Sequence, residues 1–330
     1  LGDVYKRQFG NIYTRIMNPT CDVLEKRVAA LEGGMAAVAV GSGQAASAYC
    51  VLNVAKAGDN IVASTDLYGG TVNLFKNQLR LQGVEVRFAD PADPKNFEKL
   101  TDDKTRAYFC ESFPNAYHRV FPIYEVADLC RKKGIPLFID TTASPVICKP
   151  LAHGAAVVMH SLTKYIGGHG TSIGGIIVDG GNFDWTKDRK RQPLMNEPDQ
   201  SYNGAIWADA VPQLTGANIP FAIRARVVLL RDLGAPLSPF NAFQIIQGLE
   251  TVALRMKQHC VNAEKVVAFL ETQKKVTNVI YPTNHQGEIK ERAKRYMQGG
   301  YGSLVGMDVG TREAGSKFID NLKMLYHVAN

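Results

Sequence analysis

Lys164 lies in the stretch Met159-His160-Ser161-Leu162-Thr163-Lys164-Tyr165-Ile166-Gly167-Gly168-His169-Gly170, after an apolar run over 155–158 and before a second over 173–178. Both runs read as buried strands. A lysine held in the turn between them can be desolvated, which disfavours the ammonium form and makes the amine a nucleophile. That is the chemistry of a lysine that condenses with an aldehyde. A solvated lysine in a surface turn uses the same residues and is the commoner fate of a lone Thr-Lys pair. Two further stretches bear on the choice. Asp140 closes an apolar run over 136–139, and an acid at the carboxyl end of a central parallel strand is costly unless a cation meets it. Gly41-Ser42-Gly43-Gln44-Ala45-Ala46 follows a short apolar run and opens a helix, whose unpaired amides and positive dipole end suit an anion. This loop is not the dinucleotide pattern Gly-x-Gly-x-x-Gly, because Ala46 stands at the last position.

With Ser161, Thr163 and Tyr165 around it, the lysine segment resembles the pyridoxal-phosphate motif of the Cys/Met-metabolism family of PLP enzymes, in which Ser-x-Thr-Lys-Tyr precedes a glycine-rich, histidine-containing turn. The resemblance implies that Lys164 carries the cofactor and that Ser161 and Thr163 face its phosphate. Ser42-Gly43-Gln44-Ala45-Ala46 is similar to the family's phosphate loop, which assigns phosphate-binding amides to Gly43 and Gln44. Asp66-Leu67-Tyr68-Gly69-Gly70-Thr71 resembles the segment whose tyrosine ring covers the pyridine face, with the phenol left near the substrate for proton work. Asp140-Thr141-Thr142 stands where the family has Asp-Asn-Thr, so Asp140 is implied as the partner of the ring nitrogen beside Thr142. In Glu111-Ser112-Phe113-Pro114-Asn115 the family's Asn-Pro becomes Asn115-Ala116, which keeps the amide that would touch the cofactor's phenolic oxygen but relaxes its backbone. Tyr13-Thr14-Arg15, ahead of Asn18-Pro19-Thr20, is similar to an arm that reaches the neighbouring subunit's phosphate. A homodimer or homotetramer is therefore implied.

The long segment over 179–237 is missing from the short cystathionine synthases and lyases and resembles the family branch that uses O-acetylhomoserine. That branch implies γ-replacement on O-acetyl-L-homoserine by sulfide or methanethiol, giving homocysteine or methionine plus acetate. Cystathionine γ-synthase chemistry, with cysteine as the thiol, and methionine γ-lyase chemistry, with water, are the alternatives on the same fold. A nicotinamide dehydrogenase is the rival from another class. The family's later Arg-x-Ser-x-Gly segment, whose arginine grips the substrate carboxylate, has no counterpart in this sequence. The chain is accordingly expected to be a fragment, and a catalytically dead scaffold is a further alternative.

The elements that must position these residues alternate strand and helix, as an α/β fold requires. The resemblance specifies it as the PLP-dependent transferase fold type I: a three-layer large domain with a mostly parallel sheet over 1–235, then a smaller, incomplete α/β domain over 236–330. A helix is expected over 19–32, capped by Asn18 and with Val23, Leu24, Val28 and Leu31 on its apolar face. Another is expected over 43–57, and one long helix over 240–272 whose apolar face includes Phe243, Leu249, Leu254 and Met256. The last seven residues read as an interrupted strand, and residues 1–8, which match nothing in the family, as a scar. With 45% hydrophobic and 21% charged residues the chain is of ordinary globular composition. It shows no run of about 18 apolar residues, and a cytoplasmic location is the expectation. The net charge of +7 suits an anionic cofactor and substrate. Its densest basic run, Lys187-Asp188-Arg189-Lys190-Arg191, lacks aromatics and reads as a solvated helix face rather than a nucleic-acid patch. Six scattered cysteines indicate buried free thiols, with no metal site and no disulfide framework.

Overall fold

The computed structural model describes residues 11–115 and 117–327. Residues 1–8, expected as a scar, and the last three of the expected terminal strand lie outside them. Seven strands, β1 (Ala36–Val40), β2 (Asn60–Ser64), β3 (Glu85–Ala89), β4 (Thr105–Glu111), β5 (Leu137–Asp140), β6 (Val157–Ser161) and β7 (Gly175–Asp179), form one sheet in the order β1-β7-β6-β5-β4-β2-β3. Strands β3, β2, β4, β5 and β6 are parallel, and β7 runs against both β6 and β1. The carboxyl ends of β1, β2, β4, β5 and β6 therefore share one edge.

Near-continuous apolar strands serve two cores because successive side chains point to opposite faces. Tyr108, Cys110, Leu137, Ile139 and Val158 join Leu24 and Val28 of α1 (Pro19–Glu32) in one cluster. Phe109, Phe138, Val157 and Met159 join Tyr49 and Cys50 of α2 (Gly43–Leu52) in the other. Trp207 and Phe221, from the long segment after β7, belong to this second cluster and help cover that face. Helix α3 (Ile123–Lys133) covers the first through Val126 and Cys130, and ends at Gly134 in the left-handed conformation. This is the expected three-layer α/β architecture. Burying each such aliphatic side chain contributes roughly 1.5–3 kcal/mol.

Several local expectations hold. The Asn18 side chain accepts from the Thr20 amide at 3.0 Å, with Pro19 in the first turn of α1. All six cysteines are free and buried. Others do not. Helix α2 stops at Leu52, and Val23 is exposed because the buried stripe of α1 runs through Leu24, Glu25 and Val28. The long helix after Ser238 is two helices, α4 (Pro239–Glu250) and α5 (Val252–Glu271), broken where Thr251 leaves helical geometry. The break re-phases the buried stripe through Ile245, Leu249, Val252 and Met256, which leaves Phe243 and Leu254 exposed. Residues 324–327 form no strand and are exposed. The basic run 187–191 lies in turns, where Arg189 pairs with Asp209 and Arg191 reaches the carbonyls of Asp102 and Thr105.

Past residue 236 the apolar cluster of the sheet continues through α4 and the first half of α5. A small separate cluster of Ala263, Val267, Val279 and Tyr281 sits around β8 (Asn278–Ile280), which pairs antiparallel with β9 (Gly306–Asp308). Among the described residues no helix is long and apolar enough to cross a membrane.

Asp179, the last residue of β7, is buried and accepts from the amides of Gly181 and Ala222 at 3.0 and 3.1 Å. Burial nevertheless pushes its carboxyl up to about 6. A carboxyl that holds its proton more tightly when folded contributes stability that is present at low pH and lost as pH rises from its unfolded value, near 4, to about 6. The stability of the wild type minus that of Asp179→Asn should therefore fall by about 3 kcal/mol across that window. Urea titrations of both proteins at several pH values measure it, and a pH-independent difference contradicts it.

Candidate functional site

From β2 the chain passes outward to β3 and then returns to the other side of β2 to lay down β4, β5 and β6. The strand order thus reverses between β2 and β4, and open α/β sheets bind ligands outside the strand carboxyl ends at such a reversal. A cavity of about 760 Å³ lies there. Its wall contains Gly43, Gln44, Tyr68, Asn115, Asp140, Thr142, Ser161, Thr163 and Lys164, which brings residues far apart in sequence together. Tyr13 and Arg15 do not join them. Both are exposed on the segment before α1, with the Arg15 guanidinium 5.3 Å from the Tyr13 ring centroid.

Lys164 sits in the turn that leaves β6. Its amide donates to the Ser161 carbonyl at 3.3 Å, and its own carbonyl accepts from the Gly168 amide at 2.7 Å. The Thr163 hydroxyl bridges to Gly174 across the turn, accepting from its amide at 3.2 Å. The expected desolvated lysine is instead exposed to the cavity, because the turn projects beyond the strand ends rather than lying between them.

Asp140 ends β5 with its carboxylate accepting from the Thr142 amide at 2.8 Å. The Thr142 hydroxyl in turn accepts from the Ser161 amide at 2.7 Å, tying β5 to the start of the lysine turn. Across the ladder from Asp140 is Glu111, the last residue of β4. The buried Glu111 carboxylate accepts from the amide of Tyr68 at 2.5 Å and from that of Asn115. Burial pushes the Glu111 carboxyl well above the usual range, and the Asp140 carboxylate adds to the shift. Burial also raises Asp140, against the opposing Thr142 hydrogen bonds. Two carboxyls so placed favour a cation beside them.

Also on the cavity wall, Ser42 caps α2 by accepting from the Ala45 amide at 3.1 Å. The first backbone bond of the helix is made by Ala46, so the amides of Gly43 and Gln44 come before it and form the positive terminus. A Cβ on Gly43 would stand 2.6 Å from the Ser161 Cβ, so only glycine lets the two sides of this cradle meet. An anion cradle, a carboxylate that favours a cation and an accessible amine on the wall of one cavity fit pyridoxal phosphate.

Sequence reasoning missed Glu111, Arg255 and His259, which also line the cavity. Glu111 carried a readable signal, since it closes an apolar strand just as Asp140 does. Arg255 and His259 carried none, because on α5 they look like ordinary surface charge.

The family model for the Cys/Met metabolism PLP-dependent enzymes matches residues 3–330. An O-acetyl-L-homoserine sulfhydrylase of Leptospira meyeri is 48% identical over 330 residues, a match covering 98% of this chain and 74% of that protein. A homocysteine/cysteine synthase of Kluyveromyces lactis is 42% identical, covering 97% of this chain and 74% of that one. Among solved structures, a Campylobacter jejuni protein assigned as an O-acetylhomoserine (thiol)-lyase superposes with a TM-score of 0.91 at 36% identity, over 98% of this chain and 79% of that one. That structure contains N'-pyridoxyl-lysine-5'-monophosphate.

Proposed function

We propose, from the fact that this chain belongs to the Cys/Met metabolism PLP-dependent enzyme family, that it catalyses γ-replacement on O-acetyl-L-homoserine: the Cγ–O bond breaks, acetate leaves, and sulfide or a small thiol joins Cγ. The observation that carries the reading is the single cavity holding Lys164, Asp140 and the amino end of α2, in a chain whose relatives bear the names O-acetyl-L-homoserine sulfhydrylase and homocysteine/cysteine synthase.

Pyridoxal phosphate supplies, when bound, an aldehyde that takes up amines and a ring that accepts the electrons left when a Cα bond breaks. Gly43, Gln44 and Ser161 hold its phosphate. Thr163 stands beside them. Asp140, oriented by the Thr142 amide, would keep the ring nitrogen protonated, and Tyr68 would lie against the ring. Asn115 steadies the ring's phenolic oxygen. The Lys164 amine would hold the cofactor covalently and would serve as the base for the proton on substrate Cα. Glu111 keeps Tyr68 and Asn115 in register through their amides. Tyr13 and Arg15 complete a neighbouring subunit's phosphate site in a homodimer or homotetramer, which accounts for their exposure here. The division into a cofactor-binding part to residue 235 and a smaller part beyond it, and a cytoplasmic location, belong to the same reading.

Incubation of the cofactor-loaded protein with O-acetylhomoserine and sulfide tests it. Homocysteine and acetate are expected in equal amounts. Cystathionine formed only when cysteine replaces sulfide, or a keto acid and ammonia formed with water alone, overturns the choice of nucleophile.

A further inference from the structure

The turn that carries Lys164 is fastened from a distant helix. Arg255, in the first turns of α5, donates from Nη1 to the Tyr165 carbonyl at 2.6 Å and from Nη2 to the Ile166 carbonyl at 3.2 Å. Nη2 also reaches the Gly248 carbonyl at 2.7 Å, and Nε the Thr251 hydroxyl at 3.0 Å. The guanidinium thus ties the two residues after the lysine to the end of α4, at the break between α4 and α5. Gly168 makes room for it: that residue has φ +73°, and a Cβ there would lie 2.2 Å from Nη1. Among the described residues no carboxylate pairs with Arg255. Its hydrogen bonds go to the backbone carbonyls of the turn and to its own helix junction. A planar fork of this kind can fix two carbonyls in one geometry, whereas an ammonium can hold them only as a point charge.

We propose that Arg255 is a positioning residue for the covalent attachment of the cofactor, holding the Lys164 turn so that Nζ points into the cavity. Without it the backbone after Lys164 loses its tether, and the amine spends less time where it can attack the aldehyde and release one water. Among the described residues Arg255 makes no hydrogen bond to the phosphate cradle at the start of α2, which is left intact by its loss. A misplacement of about 1 Å in a reacting group costs on the order of 10²-fold in rate. This inference rests on Lys164 being the attachment lysine.

The test compares apoprotein of the wild type, Arg255→Lys and Arg255→Ala. Two ligands are used: pyridoxal phosphate, and pyridoxamine phosphate, which keeps ring and phosphate but has no aldehyde. Attachment is followed by the rise of the visible band and by borohydride trapping with peptide mass mapping. In both variants attachment should slow by about 10²-fold while pyridoxamine phosphate binds as in the wild type. Attachment at the wild-type rate in a folded Arg255→Lys protein overturns the proposal. So does an equal loss of pyridoxamine phosphate affinity, which marks general damage to the site. Arg255→Lys is the deciding variant should the alanine protein not fold. Wild-type protein trapped at a lysine other than Lys164 defeats the parent reading instead, and the peptide map tells the two failures apart.

Discussion

Lys164→Ala should fold, bind pyridoxal phosphate through the amino end of α2, and turn over about 10⁴-fold more slowly than the wild type, the upper range for loss of a positioned acid–base group. Residual binding is expected because the cradle of Gly43, Gln44 and Ser161 lies on α2 and β6 and contains no atom of the lysine side chain. Lys164 is exposed to the cavity, so shortening it opens no buried void and thermal stability should change little. Borohydride treatment followed by mass analysis should add a pyridoxyl group to wild-type protein at Lys164 and none to the variant. A trapped adduct on the variant, or unchanged turnover, would rule out this lysine.

Asp140→Asn gives the second large effect, with a different signature. The asparagine oxygen can still accept from the Thr142 amide, so the end of β5 keeps its geometry. What disappears is the negative charge. Removing one partner of a buried charge pair costs about 3–5 kcal/mol, equivalent to roughly 10²–10⁴-fold in rate. The loss should fall on turnover, while covalent attachment to Lys164 persists and keeps its visible absorbance. Asp140→Glu restores charge but not position and should recover only part of the activity. Asparagine activity equal to that of the wild type would mean that another group holds the ring nitrogen, Glu111 across the ladder being the nearest alternative carboxyl in register.

The layers were legible because the strands are short apolar runs with a helix after most of them, and two-sided burial is what such runs require. Lys164, Asp140 and the Gly43 loop were legible for a related reason: each is a polar interruption at the end of an apolar run, and ligand sites in open sheets gather at those ends. Periodicity failed where the backbone departs from a regular helix. Phe243 and Leu254 fit a straight helix through 240–272, but the break at Thr251 rotates one half against the other. The Lys164 turn misled in the opposite direction, since apolar neighbours in sequence do not bury a side chain that points past the strand ends. Arg255 was beyond reach because its partners, the carbonyls of Tyr165 and Ile166, lie some ninety residues earlier and carry no side-chain signature.

The wall of the cavity is assembled from Ser42 near one end of the chain through to Leu304 near the other. During synthesis on the ribosome the seven strands have emerged once β7 is made, yet the helix bearing Arg255 and Leu304 of the cavity wall are still to come. The pocket therefore cannot be finished before these later elements arrive, and closures over such sequence distances are slow. Cofactor uptake is accordingly a late event in the life of each molecule, after the strands have been made.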